Sequence, residues 1–240
     1  MSPSIRILST KKLKSNQKQF LLNAKFSLVE ADFIRVTELP FRLTEINQNL
    51  IVTSQNSAKA LAAHPEIQDI RRNPVFCVGS KTADLLDELG FTVQESADNA
   101  QELANLIVKE YPTESFTFFS GNIRRNELPM ALMEADVEMN EIEVYETELT
   151  PVEIKSEING ILFFSPSAVK SFVSKHELAN QVCFCIGQTT AAEIQRVTGS
   201  NPVTTIIANQ PTIESTIAKC VNYYANLQGF QNLVGLDKKP

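Results

Sequence analysis

The sequence predicts an α/β protein with two similar lobes, each a doubly wound parallel sheet. One observation behind this prediction is that short apolar runs alternate with helical patterns, as in βα units. The other is an internal repeat, since separate motifs recur at one spacing of 111 positions, which indicates a duplicated unit. Three identical pairs carry the repeat: Ser9 and Ser120, Pro40 and Pro151, Ser54 and Ser165.

Six short apolar runs are the predicted strands. Several of them are apolar at consecutive positions, as expected of central parallel strands that helices cover on both faces. The predicted strands are Ile5–Leu8, Leu50–Thr53, Val75–Val78, Phe116–Phe119, Ile161–Phe164 and Val182–Ile186.

The segments that follow these runs have the apolar spacing of helices. In Lys81–Leu89 the apolar side chains share one stripe, and Gly90 is a suitable C-terminal stop. Ala191–Val197, followed by Gly199, repeats this pattern in the second half of the chain.

Two extended segments end at Pro40 and Pro151, where helix is disfavoured, and they are predicted to cross between the lobes. One lobe is then residues 36–146, and the other combines residues 1–35 with 147–227. Two sequential lobes divided near residue 111 are an alternative that the sequence leaves open. Residues 228–240 have no counterpart in the repeat and are predicted to be a mobile tail.

Composition excludes several classes of protein. A net charge of −6 and a pI of about 5.1 argue against a nucleic-acid binder, which needs a basic face. No apolar run approaches the roughly 20 residues that span a bilayer, and no signal peptide is recognisable, so a cytoplasmic location is predicted. Because no apolar interface stripe is evident, a monomer is predicted.

The four cysteines are consistent with the predicted cytoplasmic location. Cys183 and Cys185 alternate along a predicted strand, so both should point to one face as small buried hydrophobic side chains. No second cysteine or histidine cluster accompanies them, and no metal site is predicted.

Six polar loops follow the predicted strands, where open α/β sheets bind ligands. Each offers hydroxyls and unpaired helix N-terminal N–H groups, which together suit a ligand with several carboxylates. The candidate binding residues are Ser9, Thr10, Lys11, Thr53, Ser54, Gly79, Ser80, Thr82, Gly121, Asn122, Arg125, Ser165, Ser167, Gly187, Thr189 and Thr190.

The same residue types also have a purely structural explanation. Serine and threonine at a helix start are ordinary N-caps, each contributing on the order of 1 kcal/mol. Basic side chains in or beside the loops can equally be solvated surface groups: Lys11, Lys12, Lys81, Arg124 and Arg125.

The sequence offers few groups for strong acid, base or phosphate chemistry. His64 and His176 lie near helix ends and are predicted to be surface residues. The phosphate-loop and dinucleotide patterns GxxxxGK[ST] and GxGxxG do not occur, and neither does the GxSxG nucleophile motif. A nucleotide-dependent transferase is therefore disfavoured.

Tyr145 is the candidate catalytic residue. It lies in the second extended segment, EVYETE, which should border a ligand site if that segment crosses between lobes. Its phenol could donate a hydrogen bond to a leaving oxygen, as a general acid does. The alternative is a half-buried strand tyrosine whose hydroxyl faces water.

Taken in order, these motifs resemble the uroporphyrinogen-III synthase family. The matching stretches span residues 5–225 and include TSQNSAKAL, CVGSKTADLLDELGF, NAQELANLI, SGNIRRNELPMAL, EVYETE, FFSPSAVKSF and IGQTTAAEI. The chain departs from the family pattern in its STKKL loop and at Gln55 and Gln188, where proline is more usual.

The resemblance implies two flavodoxin-like lobes joined by a two-stranded linker, with a cleft between them. It implies an enzyme without a cofactor that loses water from hydroxymethylbilane, inverts the terminal pyrrole ring and closes the macrocycle. Tyr145 corresponds to the family's tyrosine that assists departure of the hydroxyl. The hydroxyl residues carried over to the cleft lining are Ser54, Thr82, Ser165, Thr189 and Thr190.

A rival interpretation is a two-lobed binding module that senses an anionic metabolite without turning it over. It explains the loops and the repeat equally well. It does not explain the ordered match to the synthase motifs, and turnover would distinguish the two.

Overall fold

The computed structural model describes residues 5–201 and 203–235, the side chains of 228–235 excepted. The chain divides into two compact units. The terminal unit is Met1–Arg35 with Glu148–Pro240, and the central unit is Val36–Thr147.

Each unit is built from strands that alternate with helices. The strands of the described residues are β1 (Arg6–Ser9), β2 (Ser27–Glu30), β3 (Ile34–Glu38), β4 (Asn49–Val52), β5 (Pro74–Val78), β6 (Thr92–Ala97), β7 (Ser115–Gly121), β8 (Glu138–Leu149), β9 (Gly160–Phe163), β10 (Val182–Cys185) and β11 (Thr205–Ile207). The α-helices are α1 (Ser15–Asn23), α2 (Gln55–Ala63), α3 (Ser80–Glu88), α4 (Ala100–Glu110), α5 (Glu127–Glu134), α6 (Pro166–Val173), α7 (Gln188–Thr198) and α8 (Ile213–Gly235).

The two sheets have the same strand order once the internal repeat is applied. The terminal sheet runs β11-β10-β9-β1-β2, and the central sheet runs β6-β5-β4-β7-β8 with β3 beside β8. Replacing β4 to β8 by their repeat counterparts β9, β10, β11, β1 and β2 turns the second order into the first. Counted along the chain, the terminal sheet has the flavodoxin order 2-1-3-4-5. The predicted pair of α/β lobes with parallel sheets is confirmed.

Helices cover both faces of each sheet. In β4 the side chains of Leu50 and Val52 pack with α2 and α3, whereas Ile51, between them, packs with α4 and α5. The terminal sheet is covered in the same way, by α6 and α7 on one face and by α1 and α8 on the other. This alternation explains why its central strands carry nearly continuous apolar runs.

All six predicted strands are confirmed to within two residues, and both predicted helices are confirmed as α3 and α7. Gly90 and Gly199 follow these helices with φ of 81° and 57°, the left-handed conformation that favours glycine. The sequence did not reveal β2, β6 and β11. All three are edge strands, and β6 alternates exposed with half-buried residues, so none carries a continuous apolar run.

The two extended segments pair with each other. The Leu39 N–H donates to the Val144 carbonyl, and the Thr150 N–H donates to the Phe33 carbonyl, so the segments run antiparallel. The predicted tail at 228–240 begins within α8, which continues to Gly235. Its last five residues, 236–240, lie outside the described part of the chain.

The two histidines, predicted to be surface residues, are partly exposed and have backbone partners. His64 and His176 are half-buried, and each Nε2 lies beside a backbone carbonyl, at 3.1 Å from Phe41 and 2.9 Å from Val152. Those two carbonyls are 111 positions apart. Each histidine therefore links the segment that follows β3 or β8 to the end of a helix. The sequence pattern does not reveal this contact.

The four cysteines are buried and free, and the burial predicted for Cys183 and Cys185 is confirmed. Cys183 and Cys185 pack in one cluster on the same face of β10, and burial raises the pKa of the Cys183 thiol to about 12. In the described residues no three histidine, cysteine or acidic side chains approach one another as metal ligands would. The described helices include none with the length and apolar character of a membrane span.

Candidate active site

The topology of the central sheet points to one crevice. The helices after β4 and β5 lie on one face, whereas α5, which follows β7, lies on the other. The connections therefore diverge between the neighbouring strands β4 and β7. Ligands of open α/β sheets bind beyond the carboxyl ends of the strands at such a switch point.

A β-bulge turns Tyr145 into this crevice. Ser120 of β7 is paired with Glu143, but the next residue, Gly121, is paired with Tyr145, so Val144 is the extra residue. Bulges of this kind re-aim a side chain and are frequent next to active sites. The ring of Tyr145 consequently lies over Gly121 at the carboxyl end of β7.

Glycine at position 121 is required by the position of that ring. A Cβ on Gly121 would lie 2.5 Å from Cε2 of Tyr145 and 2.8 Å from Cε1. The repeat counterpart of Gly121 is Thr10 in the terminal unit. Its hydroxyl donates to the Leu162 carbonyl at 2.7 Å, across the equivalent boundary between β1 and β9. The Thr10 side chain therefore fills the crevice of the terminal sheet, whereas the Tyr145 ring occupies the crevice of the central sheet.

Ser54 joins the phenol to the first turn of α2. Its Oγ accepts a hydrogen bond from the Ser57 N–H at 3.1 Å and donates one to Tyr145 Oη at 3.2 Å. Ser165 caps α6 in the same manner, accepting from the Ala168 N–H at 3.1 Å. Both serines therefore act as N-caps, and Ser54 has Tyr145 as a second hydrogen-bond partner.

Asn122 holds the backbone on both sides of the bulged tyrosine. Its side-chain carbonyl accepts from the Thr147 N–H at 2.8 Å, and its own backbone N–H donates to the Tyr145 carbonyl at 3.4 Å. The residue is predicted from the sequence as a ligand contact. In the structure its amide bonds to the strand that carries Tyr145, and the ligand contact stays a prediction.

The hydroxyls of the loop after β1 bond to backbone carbonyls of the same unit. Ser9 and Thr10 are buried, and their hydroxyls donate to the carbonyls of Lys11 and Leu162. Both hydroxyls are thus bonded within the protein, and their predicted contact with a ligand stays a prediction. The backbone N–H groups that follow in this loop are also occupied, at Lys12 by Asp32 Oδ1 and at Leu13 by Glu30 Oε1.

The loops before α3 and α7 place four candidate hydroxyls in the first turns of these helices. Thr82 and Thr190 are buried in the third helical position, and in the described residues Thr190 Oγ1 has no hydrogen-bond partner. Ser80 and Thr189 are exposed in the same first turns. The half-buried candidates at the other strand ends are Thr53, Gly79, Ser165, Ser167 and Gly187.

The basic side chains near the site differ in their availability. Arg124 is bound by the carboxylate of Glu141, with Nη2 at 2.7 Å from Oε2. Lys11 is exposed, and Arg125 is exposed with Glu127 at 3.6 Å. Arg124 is therefore paired with Glu141 of β8, whereas the side chains of Lys11 and Arg125 are exposed.

The Arg124 pair predicts an acid dependence of stability. Burial raises the pKa of Glu141, but the hydrogen bonds and charge of Arg124 outweigh it and hold that pKa below its ordinary value. Because the pKa of Glu141 is lower in the folded state than in the unfolded state, its carboxylate stabilises the fold above about pH 4.3. This stabilisation is lost as the pH falls through the pKa of the folded state. Glu141→Gln should cost about 0.5–1 kcal/mol at neutral pH.

Urea titrations of Glu141→Gln and wild type across the acid range measure this effect. The difference in unfolding free energy should shrink with falling pH. A difference that stays constant to about pH 3 would contradict the assignment.

Ser57 is a site residue that the sequence predictions missed. It is buried, with its Oγ 3.2 Å from Ser54 Oγ. A serine three residues after a capping serine shares its helical turn, and that spacing is the signal that could have found it.

The fold and the site together define an α/β enzyme with duplicated units and a phenol at a strand-end crevice. A family model described as uroporphyrinogen-III synthase HemD matches residues 26–218. The chain belongs to the uroporphyrinogen-III synthase family, cyclising lyases of porphyrin and haem biosynthesis that act on a tetrapyrrole. The resemblance inferred from the motifs is confirmed.

Solved structures share the fold. A uroporphyrinogen-III synthetase from Helicobacter pylori 26695 is 20% identical with a TM-score of 0.64, covering 91% of this chain and 99% of its own. A mutant uroporphyrinogen III synthase from the extremely thermophilic bacterium Thermus thermophilus is 15% identical with a TM-score of 0.68, covering 98% and 100%. A sequence comparison with individual curated proteins found no significant match.

Proposed function

We propose that this chain dehydrates and cyclises hydroxymethylbilane to uroporphyrinogen III, with Tyr145 assisting departure of the hydroxyl. The observation that supports this role is the position of the phenol. It lies at the switch point of the central sheet, over Gly121 and within hydrogen-bond distance of Ser54.

The chemistry asks little of the protein in strong acid or base. An electron-rich pyrrole supplies the electron pair that expels the hydroxyl group and leaves an azafulvene. A hydrogen bond from Tyr145 Oη to the departing oxygen stabilises the charge that develops there. The substituted carbon of the last ring then attacks, giving a spiro intermediate from which the inverted ring closes.

Choice of the attacking carbon is a problem of orientation. Holding the ends of a flexible chain in one geometry replaces an improbable encounter by an intramolecular one. We propose that the substrate's carboxylates are held by helix N-termini and polar groups at the strand ends. The proposed contacts are Lys11, Thr53, Gly79, Ser80, Thr82, Arg125, Ser165, Ser167, Gly187, Thr189 and Thr190.

An isomer assay tests the function. Hydroxymethylbilane is generated in situ, the protein is added, and the oxidised porphyrins I and III are separated chromatographically. Isomer III in proportion to added protein is expected, because the free bilane closes to isomer I. Only isomer I, from protein shown to be folded, would contradict the proposal and favour a binding module.

Tyr145→Phe is expected to slow turnover by about tenfold and to leave the isomer ratio unchanged. One hydrogen bond to the leaving group is lost, at about 1.4 kcal/mol per factor of ten, while the groups that orient the substrate remain. Single-turnover rates measure the effect.

Tyr111→Phe is the matched control for that variant. It also removes a phenol of the central unit, one bonded to Glu95 at 2.8 Å, which packs in the cluster on the opposite face of the sheet. Tyr111→Phe should keep the wild-type rate. A wild-type rate for Tyr145→Phe would remove Tyr145 from the mechanism.

Two finer proposals concern the state of the protein, a monomer located in the cytoplasm. Analytical ultracentrifugation tests the first and cell fractionation the second. A concentration-independent mass near 26.7 kDa is expected.

A further inference from the structure

Three hydroxyls form a continuous chain from the interior of the central unit to the crevice. Ser57, only 1% exposed, lies in the first turn of α2 with its Oγ 3.2 Å from Ser54 Oγ. Ser54 Oγ in turn lies 3.2 Å from Tyr145 Oη. The order of the chain is therefore Ser57, Ser54, Tyr145.

The direction of the hydrogen bonds follows from counting donors and acceptors. A serine hydroxyl has one proton and two acceptor positions. One acceptor position of Ser54 is taken by the Ser57 N–H. Within the described residues, the hydroxyl of Ser57 has Ser54 Oγ as its hydrogen-bond partner, and a buried hydroxyl is seldom left unbonded. The proton of the Ser57 hydroxyl therefore occupies the second acceptor position of Ser54 Oγ.

Ser54 then has only its own proton to offer to Tyr145. The phenol oxygen accepts that hydrogen bond, so its own proton is left to point away from Ser54. A hydrogen bond received by Oη also stabilises the negative charge that grows there as Tyr145 gives up its proton, and chains of such bonds strengthen one another.

The internal repeat supplies an independent comparison. Ser165 is the counterpart of Ser54 and makes the same N-cap, but the counterpart of Ser57 is Ala168. Capping therefore does not need a hydroxyl at this position. The extra hydroxyl occurs in the unit that carries Tyr145.

We propose that Ser54 and Ser57 are positioning residues that direct the proton of Tyr145 toward the leaving group. This inference rests on the proposed role of Tyr145 in the reaction. It assigns to Ser54 a function in addition to its cap, and to Ser57 a function that helix formation does not require.

Ser57→Ala tests the chain and copies a residue that the terminal unit already has at this position. Without that hydroxyl, Ser54 has a free acceptor position, and the phenol proton can turn inward to fill it. We expect kcat to fall by about three- to tenfold, as for one hydrogen bond, with KM and the isomer ratio unchanged. Ser54→Thr, which keeps the hydroxyl and the cap, should retain most of the wild-type kcat.

The decisive measurement is a double-mutant cycle with Tyr145→Phe. If the serines act through the phenol, Ser57→Ala has no further effect on kcat in the Tyr145→Phe background. Asn99→Ala removes the cap of α4, where Asn99 accepts from the Glu102 N–H at 3.0 Å. It serves as the stability control in the same unit and should leave kcat unchanged.

The outcomes separate this inference from the proposed function. If Tyr145→Phe is slow while Ser57→Ala is unchanged, or if their effects multiply, the hydroxyl chain is refuted and Tyr145 keeps its role. A wild-type rate for Tyr145→Phe refutes both. If Ser57→Ala fails to fold, Ser54→Ala against Ser54→Thr in the same cycle gives the same decision.

Discussion

Gly121→Ala is expected to lower the activity by about 100-fold, more than removal of the Tyr145 hydroxyl does. The added Cβ would overlap the tyrosine ring, so the ring must leave its place over β7. A displacement of about 1 Å at a reacting group can cost on the order of 100-fold in rate. The displaced ring would also obstruct the crevice. Single-turnover isomer assays with the purified variant measure the loss.

Two further variants show whether the loss comes from the ring. Asn99→Ala, which removes the cap of α4 in the same unit and touches no proposed substrate contact, serves as the stability control. In Tyr145→Phe the same ring clash persists, so adding Gly121→Ala should still slow turnover. A Gly121→Ala enzyme with the wild-type rate and fold would show that the ring position is irrelevant.

Thr117→Val is expected to destabilise the central unit by about 2–4 kcal/mol. Thr117 is fully buried, and its hydroxyl accepts from the Asn47 N–H at 2.8 Å and donates to Asn140 Oδ1 at 2.7 Å. Valine has the same shape but neither function, which leaves the partly buried Asn47 N–H without its partner. The network lies at the amino end of β7, so catalysis by folded protein should be unchanged.

Urea unfolding of Thr117→Val against Thr117→Ser isolates the hydroxyl. Serine keeps both hydrogen bonds and loses one methyl group, which costs about 1 kcal/mol. Because the chain has two units, the transition should be followed with a probe in the central one. Equal destabilisation by serine and valine would show that packing of the methyl group, and not the network, matters at this position.

Much of the fold could be predicted because the repeat and the apolar runs record burial directly. Val182–Cys185 and residues 50–52 lie in the middle of their sheets, where both faces are covered and every residue is apolar. The edge strands β2, β6 and β11 were missed because half of their surface is open and polar residues are tolerated there.

The site could be predicted only in part. Parallel strands bring their carboxyl ends to one edge, so Ser54 and Gly121 were expected near a ligand. Tyr145 was expected there for another reason, because its extended segment was predicted to cross between the lobes. The bulge that turns Tyr145 over Gly121 depends on pairing between strands and has no local pattern. For a related reason the sequence did not reveal that backbone N–H groups of the loop after β1 are already bonded. The carboxylates that accept from them, Glu30 and Asp32, belong to the next strand and the turn beyond it.

The discontinuous terminal unit sets an order of events during synthesis on the ribosome. Strand β1 pairs with β2 on one side and with β9 on the other, and β9 begins only at Gly160. At about 5–20 residues per second, β1 waits roughly 8–30 seconds for that partner, with one hydrogen-bonding edge unmatched. The central unit ends at Thr147 and can fold during the wait. Until β9 emerges, the nascent chain contains the folded central unit and, before it in the sequence, strand β1 with one unpaired edge. A chaperone is most useful in this state.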